Sequence, residues 1–151
     1  MKIELPTAAD THALGAALST VLRAGDLVIL SGPLGAGKTA LAQGIGAGLG
    51  VEGPVNSPTF VISRIHGGGR LRMVHADAYR LGSVSEVDDL DLDESVADSV
   101  TVVEWGEGMV EQLSDAHLTV HIERHVDDDV RIATLEGSGA DWSERLASFT
   151  P

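Results

Sequence analysis

The stretch VILSGPLGAGKTALAQ, residues 28–43, constrains this chain more than any other. A short apolar run leads into Gly32, four residues separate it from Gly37, and Lys38 and Thr39 follow before a helix-compatible segment. A strand, a glycine-rich turn and a helix in that order make the G-x-x-x-x-G-K-T phosphate-binding loop, the Walker A motif. Glycines let successive backbone N–H groups turn inward around an anion, and the helix start adds positive potential. The amides of Leu34, Gly35, Ala36, Gly37, Lys38 and Thr39 are therefore expected to hold the phosphates of a nucleoside triphosphate. The Lys38 ammonium suits the β- and γ-phosphates, and the Thr39 hydroxyl suits a magnesium ion.

The base follows from an absence in the sequence. A guanine-reading N-K-x-D segment needs a third lysine, and the chain has only Lys2 and Lys38. ATP or ADP with Mg2+ is the expected ligand. Hydrolysis also requires carboxylates near the metal and the attacking water. Asp77 follows the strand-like run in MVHADAYRL, and Glu104 ends the β-branched run in VTVVEWGE, where a central strand meets the crevice. Lys38, Asp77 and Glu104 are the catalytic candidates, with Thr39 and Glu104 as metal ligands. The expected reaction is in-line attack of water on the terminal phosphate, with Asp77 positioning the water directly or by way of the metal. A solvent-facing acid is the competing reading of Glu104, and an ion pair with Arg80 that of Asp77.

The chain has 151 residues, 43% of them apolar, enough for one domain with a real core, taken as residues 1–151. Aromatics make up only 3%, so Val, Leu, Ile and Ala must fill the interior, and the lack of cysteine excludes disulfides and thiolate metal sites. The pattern predicts a helix capped by Asp10 or Thr11 and running to about Arg23, a strand over 26–30, and a helix from Lys38 to about Leu49. Gly44, Gly46 and Gly48 cost that second helix about 1 kcal/mol each against alanine, which close packing on a sheet would explain. TFVISRI and RLRMVHA form a hairpin about HGGG, and HLTVHIE and DVRIATLE form a second one. Ser85 with Asp88 marks a helix start, SVTVVEW a buried strand, and DWSERLASF a last helix with Trp142, Leu146 and Phe149 on one face.

A formal charge of −13 argues against direct grip on nucleic acid. Arg64, Arg70, Arg72 and Arg80 cluster, and seven acids follow between Glu86 and Asp98. That separation is either a solvated surface or a pair of docking sites of opposite sign. The start MKIELPTAAD lacks a secretory apolar stretch and no run approaches a membrane span, so a soluble cytoplasmic protein without membrane contact is expected.

In order the chain carries GPLGAGKT, SPTF at 57–60, HADAYRL at 75–81 and VEWGE at 103–107. Together these resemble the TsaE-type ATPases of bacterial tRNA threonylcarbamoyladenosine biosynthesis, over about residues 5–135. The resemblance implies a single-domain α/β P-loop fold with a mostly parallel central sheet and antiparallel hairpin additions. It implies weak ATP hydrolysis alone and action with two partners: the transferase subunit that modifies adenosine beside the tRNA anticodon, and its inactive paralogue. The tRNA is then contacted only indirectly. Lys38, Thr39, Glu104 and Asp77 match the family's phosphate, magnesium and acidic positions, and Thr59 lies in a switch-like segment near the γ-phosphate. Trp105 accompanies Glu104 in the family motif. In that architecture Ala8–Thr11 and Arg131 approach the base or ribose, Thr11 being equally suited to cap a helix. Departures are Ala40 in place of a second hydroxyl, Gly106 in place of proline, and Ala76 and Ala78 in place of bulkier residues.

Two other functions use the same loop. A small-molecule kinase would need an arginine-bearing lid, for which the Arg64–Arg80 cluster is the candidate. A nucleotide-gated interaction module would bind without needing turnover. No motif places an arginine finger, so turnover alone is expected to be slow and a partner to complete the site.

Overall fold

The computed structural model describes residues 1–33, 35–55, 63–77, 98–104, 116–125, 127–128, 130–139 and 141–151. Expectations for Leu34, Thr59, Trp105 and the Ser85–Asp88 helix start lie outside these residues. The described elements are β1 (Lys2–Leu5), α1 (Ala8–Ser19), β2 (Leu27–Ser31), α2 (Lys38–Leu49), β3 (Ser63–His66), β4 (Arg72–Asp77), β5 (Ser99–Glu104), β6 (His117–Arg124), β7 (Arg131–Ser138) and α3 (Trp142–Ser148).

The strands form one seven-stranded sheet in the order β1-β7-β6-β2-β5-β4-β3. Its centre, β6-β2-β5-β4, is parallel. Antiparallel partners extend it on both sides: β7 and then β1 beyond β6, and β3 beyond β4. Every residue of β2 and of β5 is buried, which is why both read as continuous apolar or β-branched runs rather than alternating ones. β6 alternates buried with half-buried positions along His117–Ile122, as a one-sided strand does. The two expected hairpins, one about HGGG and one from HLTVHIE and DVRIATLE, correspond to β3–β4 and β6–β7.

One apolar cluster joins the helices to the sheet. Leu14 and Leu18 of α1, Leu41, Ile45 and Leu49 of α2, and Trp142 of α3 meet Val28, Leu30, Val100, Val102, Val120 and Leu135. Trp142 is a packing residue, as its spacing with Leu146 and Phe149 implied. Among the described residues no helix is long and apolar enough to cross a membrane.

Two local expectations need correction, besides the end of α1, which comes at Ser19 rather than near Arg23. α1 is capped by Thr7, not by Asp10 or Thr11: Thr7 Oγ1 accepts from the Asp10 amide at 3.2 Å, and the Asp10 carboxylate accepts from the Thr7 amide at 2.8 Å. This reciprocal box satisfies two donors at once, and it places the cap one residue after Pro6. The second correction concerns the glycines of α2. Gly44 and Gly48 face α1 rather than the sheet: a side chain on Gly44 would meet the His12 carbonyl and the Gly15 backbone, and one on Gly48 would meet Ser19. Only Gly46 looks toward the sheet, against Met73, Val51 and Val55. The small residues exist chiefly because two helices cross with their backbones in contact.

Candidate nucleotide site

The parallel strands β2, β5 and β4 deliver their C-terminal ends to one edge of the sheet, where open α/β folds place ligands. β2 ends at Ser31 and passes directly into the loop, and α2 begins at Lys38. Gly37, at the helix N-cap, has φ 112°, a left-handed conformation that favours glycine. A glycine cap has no side chain with which to satisfy the first amides of α2, so those donors face the loop side. A twelve-residue helix with such a start, preceded by a turn of glycines, fits a phosphate chain.

Lys38 is buried, and its ammonium donates to the carbonyls of Gly32 at 2.7 Å and Pro33 at 2.9 Å. Burial lowers its pKa from the usual lysine value, while the carboxylates of Glu104 and Asp77 act in the opposite direction. Both acids are therefore close enough for their charge to be felt at the loop lysine. Backbone register puts Asp77 directly beside Glu104 on adjacent strands.

Thr39 Oγ1 donates to Glu104 Oε1 at 3.2 Å, joining the first turn of α2 to the end of β5. Two oxygen donors at this point suit Mg2+, which takes one or two protein oxygens and completes its shell with phosphates and water. The other oxygen of Glu104, Oε2, lies 2.6 Å from His75 Nε2, and both residues are almost wholly enclosed, His75 at 0% and Glu104 at 3% exposure. His75 is the residue the sequence reading missed. The signal was there: on a strand, residues two apart share a face, so His75 had to point the same way as Asp77.

Arg131 braces the loop from β7. Its Nε donates to the Ala36 carbonyl at 3.2 Å and its Nη2 to the Gly35 carbonyl at 3.3 Å. Beside it, Pro6, Thr7, Ala8 and Arg131 line a small cleft of ≈ 290 Å³. Thr11 is placed differently from Arg131. It is buried, its hydroxyl is directed to the Thr7 carbonyl at 3.5 Å, and its methyl underlies Gly37. The structure thus brings together Lys38, Thr39, Asp77, Glu104 and the Gly35–Gly37 loop, sets Arg131 at the rim, and puts Thr11 beneath the loop.

The arginine cluster is partly committed elsewhere. Arg70 donates to the carbonyls of Ser19 at 2.6 Å and Leu22 at 3.2 Å, tying the β3–β4 connection to the end of α1. That removes one arginine from the set a kinase lid would draw on.

Comparison with known proteins gives one answer. Residues 5–132 match the family described as Threonylcarbamoyl adenosine biosynthesis protein TsaE. Similar proteins, each called tRNA threonylcarbamoyladenosine biosynthesis protein TsaE, occur in Streptomyces coelicolor, at 56% identity over 86% of this chain and 92% of that one. In Mycobacterium tuberculosis the figures are 53%, 86% and 83%, and in Bacillus subtilis 40%, 82% and 77%. Among solved structures, the crystal structure of Bacillus subtilis YdiB superposes with a TM-score of 0.78 at 29% identity, over 97% of this chain and 90% of that one. With the family match covering most of its length, this chain belongs to the TsaE family.

Proposed function

We propose that this chain binds ATP and ADP with Mg2+ and hydrolyses ATP slowly, as an accessory subunit for threonylcarbamoyl modification of adenosine beside the tRNA anticodon. It acts with the transferase subunit and that subunit's inactive paralogue, in the cytoplasm. The observation that carries the reading is the meeting of Thr39 and Glu104 across the mouth of the glycine loop, with Asp77 beside Glu104 in register. The names of the relatives supply the biological setting.

Each residue has a task in this reading. The amides at the start of α2 bind phosphate oxygens, and Lys38 leaves its loop carbonyls for the β- and γ-phosphates. Thr39 and Glu104 hold the magnesium ion, which when bound neutralises charge on the phosphate oxygens. Asp77, beside Glu104 in register, orients the attacking water. Arg131 steadies the loop from behind, and the cleft it shares with Pro6, Thr7 and Ala8 receives base or ribose. A formal charge of −13 suits a subunit that leaves the tRNA to its partners.

Reconstitution tests the proposal: the two partner subunits, tRNA and ATP are combined with and without this chain. Sustained formation of modified tRNA only in its presence is the expected result. Product formation at the same level without it rules the role out. Asp77→Asn should lower ATP turnover with partners present, and an unchanged rate would remove Asp77 from the mechanism.

A further inference from the structure

Glu104 is held at both oxygens by groups from two different elements. Oε1 accepts from Thr39 on α2, and Oε2 meets His75 Nε2 on β4 at 2.6 Å. His75 is completely enclosed, and its Nδ1, also buried, has no hydrogen-bond partner among the described residues. Against a carboxylate, an imidazole with one partnered nitrogen is best placed with its N–H on that nitrogen. The neutral Nε2–H form donates to Glu104 and leaves Nδ1 as a bare acceptor, which costs less than a buried donor without a partner.

Strand pairing does not require this contact. β4 and β5 are already in register from Arg72 opposite Ser99 to Asp77 opposite Glu104. What the contact does is local. Glu104 stands beside a second acid, Asp77, and near the Lys38 ammonium, so its carboxylate has competing directions in which to turn. A donor clamped on Oε2 removes that choice and leaves Oε1 aimed at Thr39.

We propose that His75 is a positioning residue of the nucleotide site, orienting the Glu104 carboxylate so that Oε1 and the Thr39 hydroxyl share one cation. The inference rests on the reading of Thr39 and Glu104 as magnesium ligands. Partners of this kind, one bond removed from a ligand, typically change metal affinity about 10–100-fold when lost.

The test is calorimetric titration of the folded full-length chain with ADP, once with magnesium and once with EDTA. His75→Leu should lose about tenfold or more of the magnesium-dependent gain in affinity, with metal-free ADP affinity unchanged. His75→Gln, whose amide N–H can reach the position of Nε2, should retain the gain to within about threefold. Where His75→Leu does not fold, His75→Asn replaces it, because its shorter amide stops near the Nδ1 position. Nitrogen-15 NMR of the wild-type imidazole should show a protonated Nε2 and a bare Nδ1. Equal magnesium gain in His75→Leu and wild type overturns the proposal, as does equal weakening with and without the metal, or an Nδ1–H tautomer. A wild-type chain whose ADP affinity ignores magnesium would instead fail the metal reading itself, and the proposal with it.

Discussion

Thr39 and Glu104 lie 65 positions apart in the chain, yet the hydroxyl of one donates to the carboxylate of the other at 3.2 Å. Neither side chain alone defines a cation site. α2 starts where the loop ends and β5 stops beside β2, Leu30 standing opposite Glu104, so the fold brings the two oxygens together. Glu104→Gln keeps the shape and removes the charge. Metal-free nucleotide binding should persist to within a few-fold, while the magnesium-dependent gain in affinity is lost and phosphate release falls by on the order of 100-fold or more. Calorimetry and a phosphate-release assay on the same preparation separate the two effects. Loss of metal-free binding in parallel with turnover would show that Glu104 supports the loop rather than the chemistry.

Much of this site was legible in the sequence because its parts are local. The loop, Lys38 and Thr39 form one contiguous segment whose backbone geometry is set by glycines, and β5 announces itself by the β-branched run Val100–Val103. Asp77 and Glu104 were legible as acids at strand ends. That they are neighbours was not, because register between β4 and β5 is a long-range property. His75 went unassigned for the same reason: its partner is 29 residues away. The sequence points the glycines of α2 at the sheet, since a helix crossing such as α1 on α2 leaves no mark on the period of either helix. The cap at Thr7 was missed because Asp10 and Thr11 are good capping residues too, and only the geometry shows Asp10 serving as the other half of the box.

Arg131 offers a choice between two roles that one experiment separates. Its hydrogen bonds run to the carbonyls of Gly35 and Ala36, so it stiffens the loop whatever else it touches. Arg131→Met keeps most of the stem and removes the donors. Because the bonds to Gly35 and Ala36 are long, their loss belongs at the low end for charged donors, about tenfold in ATP affinity. If bracing is the role, affinity for inorganic triphosphate should fall in parallel with that for ATP. A loss confined to ATP would instead assign the guanidinium to base or ribose.

The α1–α2 crossing supports a prediction in which two effects oppose each other. Gly44→Ala should gain about 1 kcal/mol of helix propensity at a mid-helix position. The added methyl, however, has nowhere to go: it meets the His12 carbonyl and the Gly15 backbone, neither of which is the end of a flexible side chain. Overpacking of this kind costs about 1–3 kcal/mol and more where backbone must shift, so the balance is destabilising. Since Thr11 of α1 underlies Gly37, separating the helices should also weaken nucleotide binding. Denaturant melts with and without ADP measure both, and a stabilised Gly44→Ala would show that the helices part easily.

The last helix is pinned by a charge network far from the nucleotide. Arg145 meets Asp26 with two hydrogen bonds, at 2.6 and 3.0 Å, donates from Nε to Asp141 at 3.0 Å, and lies over the Trp142 ring at 4.0 Å. Asp26 is buried, so Arg145→Met leaves an enclosed carboxylate with the Arg23 amide as donor but no countercharge, a loss of roughly 3–5 kcal/mol. At about 2–4 °C per kcal/mol for a chain of this size, the thermal midpoint should drop by roughly 6–20 °C. Asp141 adds a pH signature. The hydrogen bond from Arg145 holds its carboxyl below the ordinary 3.8, burial opposes this, and Arg23 assists. A depressed carboxyl pKa contributes stability above 3.8, and that contribution is lost as pH falls through the lowered value. Asp141→Asn should therefore melt below wild type at pH 7, and the two curves should converge below pH 3.8. A gap that stays constant down to acid pH would mean that Asp141 acts through its shape at the start of α3 rather than through its charge.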